Sequence, residues 1–120
     1  MEQILLCQIR EEDACQIRRL AAAKKIRVRE LELGRTGGRL ADLFRGEAKP
    51  SAETLPVESL LLFCEVTDKH FDKLLFEFRS KKIQVDYKAV ITPVNQQWTL
   101  SRLYNELKNE RLQIEGFRNR

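Results

Sequence analysis

Short apolar runs alternate with amphipathic stretches along this chain. Residues 4–9 and 60–66 are apolar at nearly every position, and runs of this length are typical of buried strands. The stretch after each run has helical spacing, and in the second half its apolar residues recur at i, i+3, i+4 and i+7: Phe71, Leu74, Leu75 and Phe78. The pattern predicts strand, helix and strand in each half, with the second strands at about 27–33 and 86–92.

The two halves also resemble each other residue by residue. Residues 61–88 align on residues 4–31 without a gap. Because a shared apolar pattern accompanies the identities, we interpret the chain as an internal duplication. The alignment pairs Leu5 with Leu62, Cys7 with Cys64, and the Lys-Lys-Ile string at 24–26 with the one at 81–83.

Each strand-helix-strand unit is followed by a loop and one more helix. After the first unit, a glycine-rich stretch at 34–38 predicts a turn, and apolar spacing predicts a short helix at 40–44. After the second unit, Pro93 ends the strand and Thr99 is expected to cap a C-terminal helix. We therefore predict a single domain over residues 1–120, which consists of a first repeat at about 3–46, a linker at 47–58 and a second repeat at about 59–115.

These elements predict an α/β (α+β) fold, in which two duplicated strand-helix-strand units form a four-stranded sheet with two additional helices. A strand-helix-strand crossover needs a sheet to pack on. Interleaved units give a ferredoxin-like sheet, which we favour, whereas side-by-side units are the alternative that the long connection allows. Since the first strand of each copy is apolar throughout, both faces of the sheet should be covered. The two extra helices or a second subunit would supply the second cover.

Composition narrows the class of protein. Hydrophobic residues make up 42% of the 120 residues, which is enough for a folded core. The chain shows no signal-peptide pattern and no apolar run near the roughly 20 residues that span a bilayer. We therefore expect a soluble, cytoplasmic protein without membrane association. Three cysteines without a C-x-x-C pair should be reduced, with Cys7 and Cys64 buried in their strands.

Several strings in the second half carry a likeness to a known family. They are Leu-Leu-Phe-Cys at 61–64, Ala-Val-Ile-Thr-Pro at 89–93, and Asn95 followed by Trp98-Thr-Leu. On these strings, residues 60–111 resemble an uncharacterised bacterial family, common in anaerobic Gram-positive bacteria and known only as a domain of unknown function. The resemblance implies no activity, cofactor or site residue. The first copy lacks the Thr-Pro, Asn and Trp of this motif, so we expect only the second copy to perform the role of this loop.

Two groups of residues are candidates for binding. Pro93, Asn95 and Trp98 lie in a loop that serves either as a structural elbow, with Trp98 packed against the core, or as a binding site. The other group is a helix end without acidic residues between 14 and 29, which can contact phosphates. It comprises Arg18, Arg19, Lys24, Lys25, Arg27 and Arg29.

No arrangement of residues indicates catalysis. His70 is the only histidine, and we expect it to be an exposed surface residue rather than a partner of Cys64. The glycines at 34–38 lack the spacing of a phosphate-binding loop and are interpreted as a plain turn. The acidic residues show no metal-ligand spacing. We therefore expect no cofactor and no metal.

The sequence is compatible with three hypotheses for the function. The net charge of +4 is spread over both halves and does not by itself indicate nucleic acid. We favour a small intracellular binding or regulatory module without catalytic activity, which acts on a protein partner or as a homo-oligomer. A nucleic-acid-associated protein that uses residues 18–29 is the alternative, and an enzyme is the third hypothesis.

Overall fold

The computed structural model describes residues 1–32, 34–51 and 54–118, with side chains as far as residue 110. The chain divides into two units: unit 1 is Met1–Leu33 with Val57–Ile91, and unit 2 is Gly34–Pro56 with Thr92–Arg120. The elements in chain order are β1 (Gln3–Cys7), α1 (Glu11–Ala22), β2 (Arg27–Glu30), α2 (Leu40–Phe44), β3 (Leu60–Cys64), α3 (Asp68–Ser80), β4 (Tyr87–Val90), a 3-10 turn (Asn95–Gln97) and α4 (Leu100–Arg118).

The second strands are shorter than the sequence predicts. β2 ends at Glu30 and β4 ends at Val90. Leu33, the last residue of the strand predicted at 27–33, lies outside the described residues. Residues 52 and 53 of the predicted linker also lie outside them. Within the described residues, no helix combines the length and the apolar character that a membrane span needs.

Unit 1 is built on one mixed sheet in the order β2-β1-β3-β4. β1 and β3 pair antiparallel at the centre, β2 is parallel to β1, and β4 is parallel to β3. The predicted α+β class with a four-stranded sheet is confirmed. The interleaved, ferredoxin-like order is not found, because each copy keeps its own two strands as neighbours. Interleaving would make β2 and β3 adjacent antiparallel strands, for which short turns are usual, whereas residues 31–59 separate them here.

The main chain repeats the same local geometry in both copies of unit 1. Each helix is followed by a lysine in the left-handed conformation, Lys25 at φ 58° and Lys82 at φ 56°. The next N–H group then bonds back into the helix, from Ile26 to Ala21 and from Ile83 to Phe78, at 3.0 and 2.9 Å. This closure satisfies helix carbonyls and ends each helix at an equivalent place.

The gap-free alignment fails at the second strands. Arg27 opens β2 directly after Ile26, whereas Gln84, Val85 and Asp86 separate Ile83 from the start of β4. The two second strands nevertheless occupy equivalent places in the sheet. Arg27 pairs with Gln3, the first residue of β1, and Tyr87 pairs with Leu60, the first residue of β3. The second copy therefore holds a longer connection between helix and strand.

The core of unit 1 lies between the sheet and its two helices. Alternate residues of the central strands, among them Ile4 and Phe63, pack against α1 and α3. The residues between them point to the opposite face of the sheet and are also buried, at 0–1% exposure: Leu5, Cys7, Leu60 and Leu62. Both faces of the central strands are thus covered, as their continuous apolar character predicts.

Unit 2 contains α2, the 3-10 turn and α4. Gly37 and Lys49 exchange main-chain hydrogen bonds of 2.8 and 3.1 Å. A Cβ on Gly37 would lie 2.8 Å from the Pro50 carbonyl oxygen, so only glycine fits there. The buried apolar residues of α2 and α4, all at most 7% exposed, are Leu40, Leu43, Phe44, Leu100, Leu103 and Tyr104.

Candidate functional site

The loop between β4 and α4 is a fixed turn. The Thr92 N–H donates to Asn95 Oδ1 at 2.8 Å, and the Asn95 N–H donates to Thr92 Oγ1 at 3.1 Å. This reciprocal pair of hydrogen bonds closes the loop from Thr92 to Asn95, where the 3-10 turn begins. Pro93 is exposed beside it. The amide of Asn95 therefore holds the main chain of the turn, and Trp98 is left as the residue of this loop with a side chain suited to binding.

Trp98 is half-buried, which is compatible with both roles that the sequence predicts for this loop. It ends the 3-10 turn with an extended main chain, at φ −80° and ψ 156°. One face of its indole lies under the guanidinium of Arg102, whose Cζ is 4.5 Å from the ring centroid. Such a cation-π contact orients both side chains. Leu103 and Tyr104 on α4 are buried more completely than Trp98.

Arg102 lies in the first turn of α4, where its N–H donates to Thr99 Oγ1 at 3.2 Å. Thr99 is thus bound as the sequence predicts for a helix cap. Because Arg102 follows Trp98 by four residues across this cap, its guanidinium reaches back over the indole. The contact depends on the capped start of the helix, which sets the position of Arg102.

Arg39 approaches the same loop from the start of α2. Its main chain forms an antiparallel bridge with Thr99, and the following N–H, of Leu40, donates to the Trp98 carbonyl at 2.9 Å. The exposed Arg39 side chain donates to Gln97 Oε1 at 2.7 Å. Arg39, Trp98 and Arg102 therefore lie together in unit 2, and we call them the arginine-tryptophan patch.

The arginines of the patch contrast with a neighbouring arginine of unit 2. Arg45 donates to Asp42 Oδ1 at 2.6 Å and also lies near Glu47. The hydrogen bond from Arg45, followed by the one from the Arg39 N–H, lowers the pKa of Asp42. Among the described residues, neither Arg39 nor Arg102 forms a salt bridge with a carboxylate. The patch thus carries positive charge that is not neutralised within it.

The basic helix end predicted at 18–29 lies in unit 1 and is partly neutralised. Arg19, Lys25 and Arg27 are exposed. Burial, with some repulsion from Arg27, lowers the pKa of Arg29. Three of the six side chains bind partners within the unit: Arg18 with Glu11 and Glu30, Lys24 with Glu77, and Arg29 with Gln3. The stretch is therefore not a continuous cationic surface.

His70 is not the exposed residue that the sequence predicts. Its side chain is 30% exposed, and its Nδ1 lies 2.7 Å from Glu2 Oε2, which also accepts the Thr67 N–H at 3.0 Å. Burial opposes the ionisation of Glu2, but the hydrogen bonds from Thr67 and His70 outweigh it, so the pKa of Glu2 is lowered. The imidazole is thereby engaged with a carboxylate at the start of the chain.

The three cysteines, all within the described residues, form no disulfide and lie in different surroundings. Cys7 is buried as predicted, Cys15 is exposed, and Cys64 is only half-buried because it lies at the end of β3. Burial first, and then the Glu65 carboxylate, raise the pKa of the Cys64 thiol. A raised pKa disfavours the reactive thiolate. Among the described residues, no three His, Cys, Asp or Glu side chains are placed to hold a metal ion.

A cleft of about 350 Å³ opens in unit 1 where β1 and β2 end. Leu6, Ile9 and Leu31 line its apolar part, and Glu11 and Glu30 are its charged residues. Both carboxylates are bound by Arg18, at 3.5 and 2.8 Å. The cleft arises from the parallel pairing of two strands, so the residue pattern alone does not reveal it.

Sequence reasoning found one residue of the patch and missed the other two. Trp98 is conspicuous as the only tryptophan. Arg102 has a local signal, because its position four residues after Trp98 would place it near the indole if the helix began between them. Arg39 has no such signal, since a main-chain bridge to Thr99 brings it to the patch.

Comparison with known proteins finds one family model that is similar to the second half of the chain. Residues 59–114 match the model of a domain of unknown function, DUF3783. The predicted likeness to a domain family of unknown function is confirmed. No curated protein and no solved structure matches the chain. The matched segment contains Trp98 and Arg102 but not Arg39, which precedes it.

Proposed function

We propose that this chain, whose residues 59–114 match the model of the DUF3783 family of unknown function, is a protein-interaction module without catalytic activity. Its binding surface in this proposal is the arginine-tryptophan patch of unit 2. The observation that carries the proposal is the half-buried indole of Trp98, held under Arg102 and beside the exposed Arg39. Tryptophan and arginine are the residues most enriched at the energetic centres of protein interfaces.

The organisation of the patch supports this role. The side chain of Asn95 and the cap at Thr99 fix the main chain on both sides of Trp98. A surface that is rigid before binding loses little conformational entropy when a partner docks. The cation-π contact further restricts Trp98 and Arg102 to one arrangement. The loop that the sequence singles out thus serves both as an elbow and as the support of a contact surface.

The competing hypotheses have weaker support. A nucleic-acid surface at residues 18–29 needs cations that are available to phosphates, but Arg18 and Lys24 are bound to carboxylates in unit 1. An enzyme needs an activated group. The pKa of Cys64 is raised, and His70 is engaged by Glu2. A raised pKa disfavours the thiolate of Cys64 as a nucleophile, and the hydrogen bonds of the described His70 side chain go to Glu2 rather than to a nucleophile.

Differential capture tests the proposal. The full chain is immobilised and exposed to a lysate of its native cells, in parallel with a patch variant that carries Arg39→Glu and Arg102→Glu. We expect a protein that the unmodified chain retains in stoichiometric amount and that the patch variant loses. The purified partner should then shift the fluorescence of Trp98, which is the only tryptophan.

A charge-matched variant of unit 1 controls for general electrostatic effects. Arg19→Glu with Lys25→Glu alters two exposed cations outside the patch by the same amount. Circular dichroism must show that both variants keep the fold. Equal loss of the partner from both variants, or undiminished capture by the patch variant, contradicts the proposal. Retention of nucleic acid that the unit 1 variant alone abolishes would favour the alternative hypothesis.

A further inference from the structure

The charge of the arginine-tryptophan patch points to the chemistry of its partner. Three arginines elsewhere in the described chain lie close to carboxylates, among them Arg10 with Asp13 at 3.0 Å and Arg18 with Glu30 at 2.8 Å, whereas Arg29 contacts the Gln3 amide. In the patch, Arg39 contacts a neutral amide and Arg102 contacts an indole. Two exposed guanidinium groups therefore retain hydrogen-bond donors that suit an anionic ligand.

The two guanidinium groups reach the patch from different elements. Arg39 comes from the start of α2 and Arg102 from the first turn of α4, and the bridge from Arg39 to Thr99 joins these two segments. Guanidinium groups bind carboxylates through two parallel hydrogen bonds. A partner with several carboxylates along one segment can therefore contact both arginines, while an apolar side chain of the same segment packs beside Trp98.

The surroundings of the patch favour a peptide over a nucleic acid. Proteins that bind single strands stack successive bases on several aromatic residues. Unit 2 offers Trp98 alone for this among its described residues, because Phe44 and Tyr104 are buried. The same elbow exposes 70% of Val94, which suits an apolar side chain of a peptide.

We infer that the arginine-tryptophan patch binds an acidic segment of a partner protein, which contains several Asp or Glu residues and at least one apolar residue. This inference rests on the proposed function and specifies its partner. Carboxylates of the segment bind Arg39 and Arg102, and its apolar side chain packs on Trp98 and Val94.

Synthetic peptides test the inference directly. The probe is a glutamate-rich peptide with one leucine, and its counterpart carries glutamine at every glutamate position. Binding to the full chain is followed through Trp98 fluorescence and checked by calorimetry. We expect the glutamate peptide to saturate the signal, and Arg39→Glu or Arg102→Glu to weaken its binding by about tenfold or more. Arg19→Glu should change the affinity by less than about twofold at physiological salt.

The outcomes separate this inference from the proposed function. Absence of binding by the glutamate peptide, or equal binding of the glutamine peptide, overturns the acidic partner. If the capture experiment still yields a patch-dependent protein, the proposed function stands and only the partner's chemistry is wrong. Tighter binding of a single-stranded oligonucleotide, with the same sensitivity to Arg39 and Arg102, would replace the peptide with nucleic acid. An equal effect of Arg19→Glu would show that net charge alone attracts the peptide.

Discussion

The ion pair between Lys24 and Glu77 should be the most consequential charged contact of unit 1. It joins the end of α1 to α3, with the Lys24 side chain 6% exposed and the Glu77 side chain 23% exposed. Lys24 also donates to the Leu20 carbonyl oxygen at 3.2 Å. The substitution Glu77→Gln keeps the shape of the side chain and removes its charge. The Lys24 ammonium would then remain in a largely buried place with weaker partners.

The magnitude follows from the burial of the two partners. Breaking a fully buried pair costs about 3–5 kcal/mol because a charge is left uncompensated, whereas an exposed pair contributes about 0.2–1 kcal/mol. Glu77 keeps some contact with water, and Lys24 keeps its bond to Leu20. We therefore expect Glu77→Gln to lower the free energy of unfolding by about 2 kcal/mol. That is a substantial part of the roughly 5–15 kcal/mol of a typical domain.

Urea unfolding of four proteins measures this effect: the unmodified chain, Glu77→Gln, Lys24→Met and the double variant. Because Lys24→Met removes the stranded ammonium, the double variant should be more stable than Glu77→Gln alone. Glu11→Gln is the matched control, since Glu11 is 80% exposed in its pair with Arg18. Its effect should stay below about 0.5 kcal/mol. Equal destabilisation by Glu77→Gln and Glu11→Gln would refute the reasoning.

Three further predictions concern other parts of the chain. Asn95→Ala removes the acceptor that caps the turn, and should lower the free energy of unfolding by about 1 kcal/mol in thermal or urea melts, whereas an unchanged melt would contradict its role. The lowered pKa of Glu2 means that its contribution to stability is complete above its ordinary value of 4.5 and is lost as the pH falls through the folded-state pKa. In acid, the urea midpoint of Glu2→Gln should therefore change less with pH than the midpoint of the unmodified chain. Parallel pH profiles of the two proteins would argue against this. In the native protein, a thiol reagent followed by mass spectrometry should label Cys15 first and Cys7 last, with Cys64 slow because of its raised pKa, and rapid labelling of all three would show that the burial is wrong.

The local elements of the fold are readable from the sequence because they depend on short-range patterns. Continuous apolar runs predict the central strands, and both faces of β1 and β3 are indeed buried. The spacing of Phe71, Leu74 and Phe78 predicts α3. The ends of the second strands were harder to predict from the sequence, since β2 and β4 are edge strands of mixed composition and pair along one side only.

The candidate site divides in the same way. Asn95 and Trp98 are visible as a turn former and a lone aromatic residue beside a helix start. The role of each residue is not visible in the sequence, because the same motif fits a buried indole and an exposed one. The structure adds the bond from Thr92 to Asn95 and the contact from Arg102 to Trp98, which the sequence pattern does not show.

The sequence by itself determined which segments form strands and helices, because hydrophobic period and helix caps act over a few neighbouring residues. Only the tertiary structure decided the strand order β2-β1-β3-β4, since several orders bury the same apolar runs and the long connection from residue 31 to residue 59 permits more than one. The tertiary structure likewise decided which charged side chains pair with a carboxylate. Lys24 pairs with Glu77 of a distant helix, whereas the Arg39 side chain bonds to the Gln97 amide rather than to a carboxylate, because such pairings depend on how remote segments come together.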